Sequence, residues 1–163
     1  MRVMLIMPGV GRKTGEKYVR SWTMEPLGLA MLAAVTPPDV ELRFVDDRLE
    51  AIPYEEAVDL VGINVETYTA RRAYAIAGAF RARGVKVVLG GYHPTLVPDE
   101  ALRFADAIVE GAAEAVWAQV LADAPKHRLR RRYRGIAGAE HPHIRPKRSV
   151  FGRACCPIPP NFN

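Results

Sequence analysis

The residues best suited to chemistry are few, and they stand at the ends of apolar runs. Gly90-Gly91 follows Val85-Lys-Val-Val-Leu89 directly. Glycine at a strand's end marks a point where another group approaches the backbone closely. Leu60-Val-Gly-Ile63 runs in the same way into the polar segment Asn64-Val-Glu-Thr-Tyr-Thr69. Thr67 and Thr69 suit either the cap of a following helix or hydrogen bonds to a ligand. His93 suits a metal ligand, a hydrogen-bonding group at a pocket rim, or a loop histidine capping a turn before Pro94. Glu110 and Glu114 flank Gly111 and serve either as acids at a helix N-terminus or as pocket-wall residues.

These groups converge only if the elements between them alternate regularly. Arg2 to Met7 is an apolar strand ended by Pro8-Gly9, and a polar loop from Val10 to Thr23 follows it. That loop exceeds the few residues usual between strand and helix, and long loops of this kind are often functional. Leu27, Ala30, Met31, Ala34 and Val35 repeat at helical spacing after Pro26. Val40, Leu42 and Phe44 alternate as a second strand with Asp46-Asp47 at its end, and a short helical piece is expected over 54–58. Leu60 to Val65 is the third strand. Ala73, Ile76, Ala77 and Phe80 mark a helix closed by Gly84. Val85 to Leu89 is the fourth strand, and a helix opens at Pro98-Asp99. Ala107 to Val109 is the fifth strand, and a last helix carries Val116, Trp117, Val120 and Leu121.

Near-continuous apolar strands alternating with helices predict an α/β fold with a parallel sheet covered on both faces. Five units imply a flavodoxin-like, doubly wound, five-stranded sheet of order 2-1-3-4-5, with ligands bound outside the strands' carboxyl ends. After Pro125 the periodicity is lost, and residues 125–163 are expected to be a basic linker or tail.

The bulk composition narrows the function classes. With 163 residues, 49% hydrophobic and 25% charged, the chain fits one globular domain. It has no apolar run long enough to span a membrane or serve as a signal peptide, so a cytoplasmic location is expected. Residues 1–125 carry 13 Lys/Arg against 17 Asp/Glu, a net of −4, whereas 126–163 carry 10 against one, a net of +9. A basic tail of this kind suits a connector, or a nucleic-acid-binding arm. The latter is disfavoured because Tyr133 and Phe151 are the tail's main aromatics. His141 and His143 in that tail read as solvated. The two cysteines, Cys155 and Cys156, are adjacent and cannot build a disulfide framework or a site needing three thiolates. Strand one lacks a terminal acid, a Gly-x-Gly-x-x-Gly turn and a phosphate loop. A receiver domain, a dinucleotide site and a nucleotide-hydrolase site are thereby disfavoured.

Glu25-Pro-Leu-Gly-Leu-Ala30, Gly62-Ile-Asn-Val-Glu-Thr-Tyr-Thr69, Gly90-Gly-Tyr-His-Pro94 and Glu110-Gly-Ala-Ala-Glu114 follow one another in order. Over residues 1–124 this succession resembles the N-terminal cobalamin-binding domain of cobalamin-dependent radical SAM enzymes. Asn64 to Glu66 stands where the wider fold has a Ser-x-Leu segment, at matching distance before Gly90-Gly91. The resemblance implies that the cobalamin nucleotide tail enters between strands one, three and four, with the corrin ring over the strand ends. It further implies cofactor contacts from Pro8, Gly9, Leu27, Gly28, Asn64, Val65, Glu66, Thr67, Gly90, Gly91, His93, Glu110 and Gly111, and no catalytic residue. The cobalt-ligating Asp-x-His-x-x-Gly motif is absent, since no histidine precedes His93. A protein metal ligand is therefore not expected. The three-cysteine motif of a radical SAM cluster is absent too, so no iron–sulfur cluster is expected in this chain. The expectation is a domain that holds cobalamin without catalysing on its own. It either stands alone or forms the N-terminal piece of a methyltransferase-like protein whose radical SAM domain or subunit is a partner.

Overall fold

Apolar runs too continuous to leave one face in water form the centre of a parallel sheet. A computed structural model describes residues 1–10, 25–126, 128–136 and 144–151. The long loop after the first strand, the His-Pro-His segment and the cysteine pair lie outside the described residues.

The elements in chain order are β1 (Arg2–Met7), α1 (Leu27–Val35), β2 (Glu41–Asp46), β3 (Leu60–Asn64), α2 (Ala70–Ala82), β4 (Lys86–Gly90), α3 (Tyr92–Leu96), α4 (Pro98–Ala101), β5 (Ala107–Gly111), α5 (Trp117–Asp123) and β6 (Arg132–Gly135). All strand pairs are parallel, and the sheet order is β2-β1-β3-β4-β5-β6. This is the expected flavodoxin-like order, with one strand more.

Strand parity divides the interior into two cores, because successive side chains point to opposite faces. Val3, Leu5 and Met7 of β1 join Val88, Val109 and the apolar stripe of α1 and α5 on one face. Met4 and Ile6 join Val61, Ile63, Val87 and Leu89 under α2 on the other. The face carrying α1 and α5 also holds a cleft.

The sixth strand corrects the five-stranded expectation. Its sequence, Arg-Tyr-Arg-Gly, supplies one large apolar group, and the flanking arginines give it the composition of a tail. Tyr133 is nevertheless 2% exposed. Its hydroxyl donates to the Asp123 carboxylate at 2.9 Å and accepts the Arg130 N–H at 3.0 Å. Glycine makes the pairing possible: a Cβ on Gly111 would lie 2.3 Å from the Gly135 carbonyl oxygen, and one on Gly135 only 1.8 Å from that of Ala112. The turn at Arg148–Phe151 also packs back, with Phe151 buried edge-on against Phe44 at 4.8 Å between ring centroids. The expected boundary after residue 124 therefore does not coincide with the end of the sheet.

Two local expectations also change. Residues 54–58 form a turn on Pro53 rather than a helix, closed by the Glu56 N–H donating to the Pro53 carbonyl. The Tyr-His-Pro segment after Gly91 is the one-turn helix α3, where Pro94 falls in the first turn and its missing N–H costs nothing.

Candidate functional site

At the carboxyl ends of β3, β4 and β5, a cleft of about 150 Å³ opens between the sheet and helices α1 and α5. Its floor is apolar and buried: Leu29 and Leu32 of α1, Gly62 of β3, Val88 of β4, Val109 of β5 and Trp117 of α5. Its mouth is lined by Gly28, Asn64, Gly90, Gly91, Gly111, Ala113 and Glu114. An apolar cavity with a few polar groups at the rim is the usual form of a small-molecule site.

Local chemistry explains each wall. Gly62 interrupts an otherwise apolar strand because the Trp117 ring lies across it. A Cβ there would be 3.0 Å from Leu5 Cδ2 and 3.4 Å from the indole. The indole is fixed in turn, since Trp117 Nε1–H donates to Thr36 Oγ1 at 2.9 Å and that hydroxyl donates to the Leu32 carbonyl at 2.7 Å. The two glycines of Gly90-Gly91 do different work. Gly91 has φ +103°, and a Cβ on it would lie 2.7 Å from Asn64 Oδ1 and 2.8 Å from the Val65 carbonyl oxygen. Its glycine is demanded by the chain's own turn. Gly90 is extended, and a Cβ would meet only Val109 Cβ, at 3.8 Å. Gly28, at the start of α1, has nothing within 4 Å of where its Cβ would stand. Both line the cleft, Gly28 toward open space and Gly90 with Val109 in ordinary contact on one side.

Thr95 ties the mouth together. Its hydroxyl donates to the Gly91 carbonyl at 2.8 Å and accepts the Gly111 N–H at 3.0 Å, bridging the ends of β4 and β5. Asn64 sits opposite Gly90 in the β3–β4 register, and its amide reaches Met7 Sδ at 3.6 Å.

The thirteen residues expected to contact a cofactor are only partly brought together. Gly28, Asn64, Gly90, Gly91 and Gly111 line the cleft. Leu27 points to solvent at the same helix end. Pro8 and Gly9 belong to the neighbouring β1 exit, where the Gly9 N–H donates to Asp47 at 2.9 Å. Asp47 is fully buried and receives two Arg72 guanidinium bonds of 2.8 Å each, which push the Arg72 pKa up. Val65 is buried under α2, and its carbonyl accepts the His93 N–H. The Glu66 N–H donates to Thr69 Oγ1, so Thr69 closes the turn into α2, while Thr67 is exposed. The cleft therefore opens over β3, β4 and β5, one strand along from the expected entry between strands one, three and four.

His93 is turned away from the cleft. Its Nε2 lies 2.9 Å from the Tyr74 hydroxyl and 3.5 Å from Glu100 Oε1, under α2. Of the two acids flanking Gly111, Glu114 lines the cleft and Glu110 does not. Glu110 faces Arg132 and Arg134 of β6, at 3.6 and 3.5 Å. Among the described residues, no group of three or more His, Cys, Asp or Glu converges on a point that could hold a metal ion. No helix among them is long and apolar enough to cross a membrane.

The floor residues Leu29, Leu32, Val88, Val109 and Trp117 carry no chemical signal in the sequence beyond core hydrophobicity. Gly62 does: a glycine inside a buried strand marks a close approach. Here the approaching group is Trp117.

The chain has relatives among known proteins. The family model of the B12 binding domain matches residues 20–121. The chain is 43% identical over 108 residues to the bacteriochlorophyllide d C-8(2)-methyltransferase of Chlorobaculum tepidum, covering 66% of this chain and 24% of that protein. It is 32% identical over 111 residues to the bacteriochlorophyllide d C-12(1)-methyltransferase of the same organism, covering 67% and 24%. An uncharacterized methyltransferase of Pyrococcus horikoshii is 27% identical over 158 residues, covering 89% of this chain and 34% of that protein. The matched part thus spans about a quarter of the length of the first two relatives. With the family-model match covering more than half of its length, the chain belongs to the B12-binding domain family.

Proposed function

We propose that the chain holds cobalamin with the nucleotide tail in the α1–α5 cleft and the corrin ring over the carboxyl edge of the sheet, for use by a radical SAM methyltransferase domain. The observation that carries this reading is the apolar cleft bordered by two residues without side chains, Gly28 and Gly90. Leu29, Leu32, Val88 and Trp117 would enclose the inserted ring, while Asn64 and Glu114 at the mouth would meet the polar part of the tail. Bound there, the corrinoid supplies a cobalt able to accept and pass on a methyl group.

The surface around the cleft suits a large apolar ring. Among the described residues, the exposed hydrophobics Tyr68, Tyr92 and Ile136 lie just after the carboxyl ends of β3, β4 and β6, and Leu27 opens α1 beside Gly28. Concentrated exposed apolar surface marks a binding face. The methyltransferase names of the relatives support methyl transfer as the reaction of the assembled system. The basic segment after β6 would serve as the connector to that catalytic partner. Titrating apoprotein with cobalamin and following the visible spectrum tests the reading. The expected result is saturable one-to-one binding at micromolar protein, and absence of binding would overturn it.

A further inference from the structure

The floor of the cleft offers an inserted group no hydrogen-bond partner. Leu29, Leu32, Val88 and Val109 are aliphatic, and Gly62 is a strand glycine with its backbone in the sheet. Trp117 is the one side chain there with a polar atom, and that atom is already used: the indole N–H donates to Thr36 Oγ1, whose own proton goes to the Leu32 carbonyl. The polar side chains, Asn64 and Glu114, stand at the mouth. The size points the same way. A cleft of about 150 Å³ matches apolar cavities of about 150 Å³ that stay dry and take up benzene. That volume suits an aromatic ring system, whose sugar and phosphate would stay at the rim.

Resting on the reading of this cleft as the site of the nucleotide tail, we propose that it selects corrinoids by their lower base. It favours an apolar ring such as dimethylbenzimidazole and disfavours a purine. A benzimidazole presents methyl groups and ring carbons to the aliphatic walls and a π-face to Trp117. An adenine would carry further ring nitrogens and an exocyclic amine into a floor that cannot bond them, and each buried polar group left unpaired costs free energy. A hydrophobic pocket rejects an added polar group only moderately, so adenine discrimination of about 10- to 100-fold in Kd is expected.

The test is a visible-absorption titration of the full chain with three corrinoids. These are dimethylbenzimidazolyl cobalamin, the adeninyl analogue with the same corrin, and cobinamide, which lacks the nucleotide tail. The expected result is tightest binding of the benzimidazole form, with adeninyl corrinoid and cobinamide both weaker by at least 10-fold. Val109→Thr places a hydroxyl on the floor with little change of volume and is expected to shrink the benzimidazole-to-adenine ratio at least threefold. Val88→Thr gives a second route should the first variant fold poorly. Equal affinity for the two bases would overturn the proposed selectivity while leaving cobalamin binding intact. Cobinamide binding as tightly as cobalamin would show that the tail is not in the cleft, and would overturn the proposal at its premise. Failure of all three corrinoids to bind would overturn both the selectivity and the cofactor reading.

Discussion

Gly90→Leu and Gly91→Ala together separate a glycine proposed to border the ligand from one that the backbone requires. A Cβ at Gly90 meets a single atom, Val109 Cβ at 3.8 Å, and the residue's backbone does not need positive φ. Its parity in β4 matches that of Val88, so a side chain there points toward the cleft between α1 and α5. A leucine would occupy the space offered to an inserted ring. Burying such a ring stabilises by about 2–3 kcal/mol, so its exclusion should weaken cobalamin binding on the order of 30- to 150-fold. The fold should be unaffected: the melting temperature of the apoprotein should stay within a few degrees of the unsubstituted chain. Gly91→Ala is the contrast. Its Cβ would fall within 3 Å of Asn64 Oδ1 and the Val65 carbonyl oxygen at φ +103°. It should destabilise the apoprotein by about 1–3 kcal/mol whether or not a ligand is present. Titration and thermal unfolding of both variants give the answer. Unchanged cobalamin affinity in Gly90→Leu would refute the assignment of this cleft.

Three other perturbations follow from the packing. Asp47→Asn removes the charge that pairs Arg72 and receives the Gly9 N–H; it should cost about 3 kcal/mol, read as a lower urea midpoint. Phe151→Ala opens the edge-on contact with Phe44 and should cost about 3 kcal/mol, also by urea denaturation; no loss would mean that the 148–151 turn contributes nothing to the domain. Burial, reinforced by the hydrogen bond to Glu100, raises the Tyr74 pKa above its ordinary value of 10.0. The folded chain therefore keeps this proton where the unfolded chain releases it. The associated stability is fully present below pH 10 and is lost as pH rises beyond it. Tyr74→Phe should show a shallower alkaline loss in denaturation midpoints than the unsubstituted chain. Some slope should remain from Tyr54 and Tyr133, whose pKa values burial also raises.

Features that rest on local pattern are legible in one dimension. Runs such as Val3 to Met7 and Val87 to Leu89 are apolar at consecutive positions, so both faces must be covered and a parallel sheet follows. The spacing of Ala73, Ile76, Ala77 and Phe80 defines α2, and Gly84, with φ +80°, ends it. The motifs at Asn64, Gly90 and Gly111 fall together at one edge of the sheet, where the cleft opens, because parallel strands bring their carboxyl ends to one side.

What only the tertiary structure decided depends on register and on groups far apart in the chain. Gly90 and Gly91 are adjacent and chemically identical, yet one faces the cleft and the other is pressed against Val65, since strand parity reverses at each residue and the turn begins between them. The ring of His93 turns to Tyr74 because its own N–H bonds back to the Val65 carbonyl, starting α3 toward α2. Strand β6 was invisible because its pairing rests on Gly111 and Gly135 passing closely and on one buried tyrosine, not on an apolar run. The apolar floor was equally hidden. Leu29, Val109 and Trp117 read as core in one dimension, and they are core except where Gly28 and Gly90 add no side chain to the cleft above them; Gly62 instead makes room for the Trp117 ring.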